Sequence, residues 1–147
     1  MAELAASLGL SRSTIERYLD LLEKVFVIFS GRHCMPCHRL IALLSHWRPI
    51  LDNDYLLVHI EDGRMTHVEE AKIRLGFQGN IIPWYVILSP TGERLITSTG
   101  RNGNIGYPAS TPASVEYFMT MLRQTSSHIS PQQFKDIEAD LIASGKK

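Results

Sequence analysis

Cys34 and Cys37 are the only 2 cysteines in this 147-residue chain, and the residues on either side leave little choice of local structure. Val25, Phe26, Val27, Ile28 and Phe29 form an unbroken run of β-branched and aromatic side chains that stops at Ser30-Gly31. Such a run, bounded by turn formers, reads as a buried strand. After the cysteines, Leu40, Leu44 and Trp47 recur at helical spacing with Ile41 and Leu43 beside them, as in a helix laid against a sheet. The Cys-Met-Pro-Cys segment therefore fills a strand-to-helix turn.

That location has chemical consequences. Cys34 would take the helix N-terminus and Cys37 the first turn, where unpaired N–H groups and partial positive charge favour a thiolate over a thiol. A cysteine so placed can ionise with a pKa of roughly 3.5–7.5 instead of about 8.5. Pro36 suits the first turn, having no N–H to leave unpaired and a φ already near helical. Arg32 and His33 add positive charge beside Cys34. Cys34, the more exposed of the pair, is expected as nucleophile, and Cys37 as the thiol that resolves the mixed disulfide. Other readings compete. Inert buried cysteines are common, but this spacing at a strand–helix junction argues against them. Zinc wants four ligands, and His33, His38, His46, His59 and His67 would have to converge from separate elements. Cys34-Met35-Pro36-Cys37-His38 also matches the haem attachment signature, although a strand feeds straight into it and no second axial ligand is marked. Redox chemistry fits best, and it requires neither metal nor cofactor.

Composition sets outer bounds. The length suits one domain with a real core. Fifteen basic residues balance 15 acidic ones, so the chain as a whole offers nucleic acid or an anionic membrane no general attraction. No apolar run approaches the ~20 residues that span a bilayer. The opening Met1-Ala-Glu-Leu-Ala-Ala-Ser holds an acidic residue and no basic cluster, unlike a signal peptide. The expectation is a cytoplasmic monomer without a membrane span, where a lone Cys-x-x-Cys is catalytic rather than structural.

Residues 1–24 are expected as a helical extension ahead of a second unit at 25–147. Leu4, Ala5 and Leu8 share one face and Gly9 closes the turn. Ser11 or Ser13 would cap a second helix, with Glu16 completing a capping box and Ile15, Tyr18, Leu19 and Leu22 as its stripe. Residues 2–23 resemble a helix-turn-helix, similar to the winged-helix region of some prokaryotic ATPases. That resemblance implies a recognition helix presenting Arg12, Ser13, Thr14 and Arg17. The segment, however, sets 3 basic residues (Arg12, Arg17, Lys24) against 4 acidic ones (Glu3, Glu16, Asp20, Glu23), the wrong balance for phosphate. Nucleic acid is not the expected partner, and a DNA-binding redox sensor stands as the alternative.

Beyond the cysteines, a helix over 37–47 should kink or end at Pro49. Residues 55–61 read as a near-continuously apolar interior parallel strand. A helix over 66–75 follows, with Val68, Ala71, Ile73 and Leu75 as its apolar residues, completing a βαβ unit. Pro83 then stands at the mouth of an apolar strand, Pro90-Thr91-Gly92 makes a tight turn, and residues 93–99 return antiparallel. Gly100 to Pro108 is Gly/Asn-rich with no Lys-Ser/Thr after it, so it reads as a plain loop and not a phosphate cradle. A helix over 113–124 carries Val115, Phe118, Met119 and Leu122, with Met119 and Met121 as core residues. Ser130, Pro131 and Gln133 form a capping box that opens a helix over 131–143, with Phe134, Ile137 and Leu141 inward.

Taken together, Cys34-Met35-Pro36-Cys37, Ile82-Pro83 and the hairpin over 84–99 resemble the thioredoxin-like disulfide oxidoreductases, over residues 25–124. The resemblance implies an α/β, three-layer sandwich with a helical N-terminal extension and an extra C-terminal helix. It implies action on protein or peptide thiols and disulfides, with no cofactor. It implies that Pro83 is a cis-proline beside Cys34 and that Ile82 offers its backbone to an extended substrate strand. His33, Met35, Pro36 and Trp84 would border that groove. Two departures stand out. His33 replaces the family's tryptophan, and Ile28 replaces the buried aspartate that accepts the proton of the second cysteine, leaving that task to water or His38. Both lean towards exported members of the family, against the cytoplasmic reading of the N-terminus.

Overall fold

Strand β1 (Lys24–Gly31) is the centre of the fold in a computed structural model, which describes Gly9, residues 11–14 and residues 22–147. On one side β1 pairs in parallel with β2 (Tyr55–Asp62), Ile28 opposite His59. On the other it pairs antiparallel with β3 (Trp84–Leu88), Ile28 opposite Tyr85, and β3 pairs antiparallel with β4 (Arg94–Thr97). The sheet order is β2-β1-β3-β4. Helices α1 (Met35–His46) and α2 (Arg48–Leu51) link β1 to β2, and α3 (Val68–Leu75) precedes β3. Helices α4 (Pro112–Thr125) and α5 (Pro131–Gly145) close the chain.

Alternation along β1 builds the layers. Phe26 and Ile28 join Leu40, Leu44 and Trp47 from the α1 side, Phe118, Met119 and Met121 from α4, and Ile137 and Leu141 from α5. Val27 and Phe29 face the other way, onto Val68 of α3 with Phe77, Trp84 and Val86. Both faces of β1 are buried, which is why its sequence shows no polar alternation. This is the expected thioredoxin-like three-layer sandwich, and α5 is its extra helix. The Ser130 capping box is present: Gln133 N–H donates to Ser130 Oγ (3.1 Å) and Ser130 N–H to Gln133 Oε1 (2.9 Å).

Three expectations need correction. Strand β2 is an edge and not an interior strand, so Leu56 is exposed despite its apolar neighbours. Of the two outcomes expected at Pro49, the helix ends and does not kink: α1 stops at His46, and Pro49 lies in the first turn of α2. Ile73 is 79% exposed, because five residues at 3.6 per turn carry it about 140° round the helix from buried Val68. The stretch after Thr97 is no plain loop but a two-stranded ribbon of β5 (Thr99–Gly100) and β6 (Gly103–Asn104).

At the N-terminus, residues 12–14 are helical and Thr14 N–H donates to Ser11 Oγ (3.2 Å), which fits a cap at Ser11. Leu22 is exposed, not part of a buried stripe, and Lys24 already belongs to β1. The rest of the expected pair of helices, and with it the helix-turn-helix, lies outside the described residues.

Candidate active site

The turn after β1 is shaped by its last residue. Gly31 O accepts the Cys34 N–H (3.1 Å), which closes the turn and delivers Cys34 to the N-cap of α1. Cys34 Sγ occupies the place usually held by a serine or aspartate oxygen and accepts the Cys37 N–H at 3.2 Å. Pro36 lies in the first turn as expected. Cys37 is fully buried under the helix while Cys34 is half-buried, and the two are joined by a disulfide with Cα atoms 5.2 Å apart. The first turn of α1 holds no acidic residue, and Arg32, His33 and His38 are exposed around it. The helix dipole and the Arg32 guanidinium therefore act on Cys34 with the same sign.

The second half of the site is the loop before β3. The Ile82–Pro83 peptide is cis. Pro83 is buried, and Cys34 Sγ lies 3.8 Å from the Ile82 carbonyl oxygen. A Cβ on Gly31 would fall 2.7 Å from Ile82 Cδ1, so glycine at that position admits the loop close to the cysteine turn. Among the described residues the Ile82 N–H donates to no protein group. Met35, 66% exposed, and exposed Ile81 give the surroundings an apolar rim, with His33 and Pro36 exposed on the cysteine side. His33, Cys34, Met35, Pro36 and Cys37 thus share one end of the sheet with Ile82 and Pro83.

Trp84 does not join them. It is 2% exposed, stacked on Phe77 at 4.8 Å between centroids and 5.6 Å from Phe29. Its Nε1–H donates to Thr99 Oγ1 (3.0 Å). The cause is strand alternation: Tyr85 and Ile87 turn to the α1 side, so Trp84, Val86 and Leu88 turn to the α3 side.

Ile28 is enclosed by the α1 side of the core, so that position supplies no carboxylate. One pleat further along, buried Ser30 is hydrogen-bonded through Oγ to His59 Nε2. Asn104, which sequence reasoning passed over, reaches the cis-proline loop and donates to the carbonyls of Ile81 (2.9 Å) and Pro83 (3.1 Å). Its only signal was an asparagine inside a Gly/Asn-rich stretch. Among the described residues no three His, Cys, Asp or Glu side chains gather where they could hold a metal ion. No helix among them is long and apolar enough to cross a membrane.

No protein-family model matches the sequence, and no curated protein matches it. Among solved structures the chain is similar to the disulphide isomerase from Xylella fastidiosa Temecula1, at 15% identity over 88% of each chain with a TM-score of 0.48. It is similar to the oxidised thioredoxin from Plasmodium falciparum at 14% identity, covering 79% of this chain and 94% of that one, with a TM-score of 0.48. A thioredoxin-fold protein from Helicobacter pylori is similar at 11% identity over 84% of each chain, again with a TM-score of 0.48. No comparison supports a likeness of the N-terminal residues to prokaryotic ATPases. The thioredoxin-like fold is read from this chain's own strand order and helix placement.

Proposed function

We propose that this protein is a thiol–disulfide oxidoreductase acting on protein or peptide disulfides. The observation that carries the reading is the Cys34–Cys37 disulfide at the start of α1, with Cys34 Sγ 3.8 Å from the carbonyl of Ile82, the residue before cis Pro83. In the reduced protein the Cys34 thiolate attacks one sulfur of a substrate disulfide, forming a mixed disulfide and releasing the first substrate thiolate, which takes a proton from water. Cys37 then loses its proton and attacks Cys34 Sγ. The mixed disulfide breaks, the second substrate thiol leaves, and the Cys34–Cys37 disulfide remains. Two electrons pass from the protein's dithiol to the substrate, and an external dithiol restores the reduced state. The exposure of Cys34 against the burial of Cys37 supports this order. His33, Met35 and Pro36 frame the substrate from the cysteine side, and Ile82 and Pro83 from the other. Trp84 supports the loop from beneath.

The test is reduction of insulin by dithiothreitol. The protein should accelerate it and Cys34→Ser should not; equal rates would remove the proposal. Cys37→Ser should instead accumulate a covalent adduct with the substrate, which non-reducing gels would reveal. No observation favours the DNA-binding sensor.

A further inference from the structure

The ribbon β5–β6 lies outside the strand–helix core, yet its side chains return to the loop that carries Pro83. Asn104 pairs with Thr99 across the ribbon. Its Nδ2 donates to Ile81 O (2.9 Å) and to Pro83 O (3.1 Å), and its Oδ1 accepts the Gly106 N–H (3.1 Å). A primary amide offers two N–H donors and one acceptor oxygen. The three backbone partners therefore decide its orientation, since the reversed amide would set its oxygen against two carbonyls. Thr99, the cross-strand neighbour, takes the Trp84 indole N–H (3.0 Å).

The ribbon is itself held. Tyr117 of α4 donates its hydroxyl to Thr97 O at the end of β4 (2.8 Å) and reaches Thr99 O of the ribbon at 3.4 Å, and a Cβ on Gly100 would come within 3.1 Å of the Tyr117 ring. Tyr85 donates to Gly106 O (3.0 Å), and the turn is completed by Gly103 at φ +105°, where a side chain would be strained. Helix α4, ribbon and loop form one hydrogen-bonded chain.

We infer that Asn104 is a positioning residue for the substrate strand, an inference that rests on the thiol–disulfide exchange proposed above. The two carbonyls it holds belong to Ile81 and Pro83, the neighbours of Ile82. Tying both to the ribbon fixes Ile82 between them, with its carbonyl 3.8 Å from Cys34 Sγ and its N–H left for an incoming backbone. A peptide that pairs with Ile82 gains main-chain hydrogen bonds. That gain shrinks if the loop must first be ordered. A small disulfide has no backbone to pair and is indifferent to the loop. The role therefore shows in binding of peptide substrates and not in chemistry at sulfur.

The experiment compares wild type, Asn104→Asp and Asn104→Ala with insulin and with 2-hydroxyethyl disulfide. Asn104→Asp keeps the acceptor for Gly106 N–H and turns the donor into an acceptor facing two carbonyls. For both variants KM for insulin should rise about tenfold. Their kcat, and their rates with the small disulfide, should stay within about twofold of wild type. An unchanged KM, or equal losses with both substrates, overturns the inference. The 15N relaxation order parameter of the Ile82 amide is the second measurement, independent of activity. It should fall in Asn104→Ala from about 0.85 towards about 0.6 while the β1 amides keep theirs, and an unchanged order parameter also overturns it. A wild type inert towards both disulfides removes the oxidoreductase reading and the substrate role together. Active wild type with unaltered variants removes the role of Asn104 alone.

Discussion

Trp84 follows the cis-proline directly, but its indole serves the core. Stacking on Phe77 with ring planes 4° apart, and the hydrogen bond to Thr99, leave it no surface for a substrate. Trp84→Phe should lower the unfolding free energy by about 1–2 kcal/mol, through lost buried area and one hydrogen bond. The KM for a protein disulfide should hold. Urea titration read beside insulin kinetics checks this; a changed KM at unchanged stability would return Trp84 to the groove. The resemblance set Trp84 beside its neighbour Pro83, but successive side chains on a strand point to opposite faces. Cys34, Cys37 and Pro36 were legible for the opposite reason. Helix capping and the fixed φ of proline are local constraints that the chain carries in adjacent letters. Asn104 was not legible, because its partners Ile81 and Pro83 lie 21 or more positions away and no local pattern records them.

Helix α5 shows the same division at the level of elements. Its start was legible because a capping box is local, and so was its inner stripe. Where it docks was not. It seats fully buried Ile137 and Leu141 in the core shared by α1 and α4, and its outer contacts are specific. Trp47 Nε1 donates to Asp140 Oδ2 (3.0 Å), Arg39 Nη2 to Ser144 O (2.6 Å), and the Tyr107 and Ser144 hydroxyls lie 2.8 Å apart. The first two join α5 to the helix that begins at the cysteines and to its C-cap residue Trp47, and the third joins it to the segment before α4. Ile137→Ala should therefore cost about 2–4 kcal/mol and lower the urea midpoint without changing the slope of the transition. A second, separate transition would show instead that α5 melts on its own. Strand β2 marks the limit of pattern reading from the other direction. Its apolar run suggested an interior strand, but nothing in a run says on which side the next strand will pair, and here β3 goes to the far side of β1.

Across the whole molecule, Tyr55 links the layers and couples them to pH. It opens β2 with 1% exposure, and its ring meets Phe26 of β1 edge-on at 5.8 Å. Thr125 Oγ1 donates to Met121 O (2.8 Å), which commits its proton, so the Tyr55 hydroxyl donates to Thr125 Oγ1 (2.6 Å). The neighbouring Asp54 carboxylate accepts the Ser127 and His128 N–H groups (2.8 and 3.0 Å), binding the start of β2 to the loop between α4 and α5. Burial, against the lowering pull of the Thr125 hydrogen bond and with a smaller push from Asp54, raises the Tyr55 pKa from 10.0 to about 12. A raised pKa means the folded state holds its proton longer than the unfolded chain. Tyr55 therefore contributes its full share below pH 10, and that share is lost as pH climbs towards about 12. The loss amounts to about 2–3 kcal/mol for a shift of this size. Burial also raises Tyr85 and Tyr117, so the alkaline decline is shared. Urea midpoints measured from pH 9 upward should fall steeply across that window, and Tyr55→Phe should flatten the fall. An equally steep decline in the variant would mean that the phenol ionises as readily inside the fold as outside it, and that the joint between β2 and α4 does not depend on its proton.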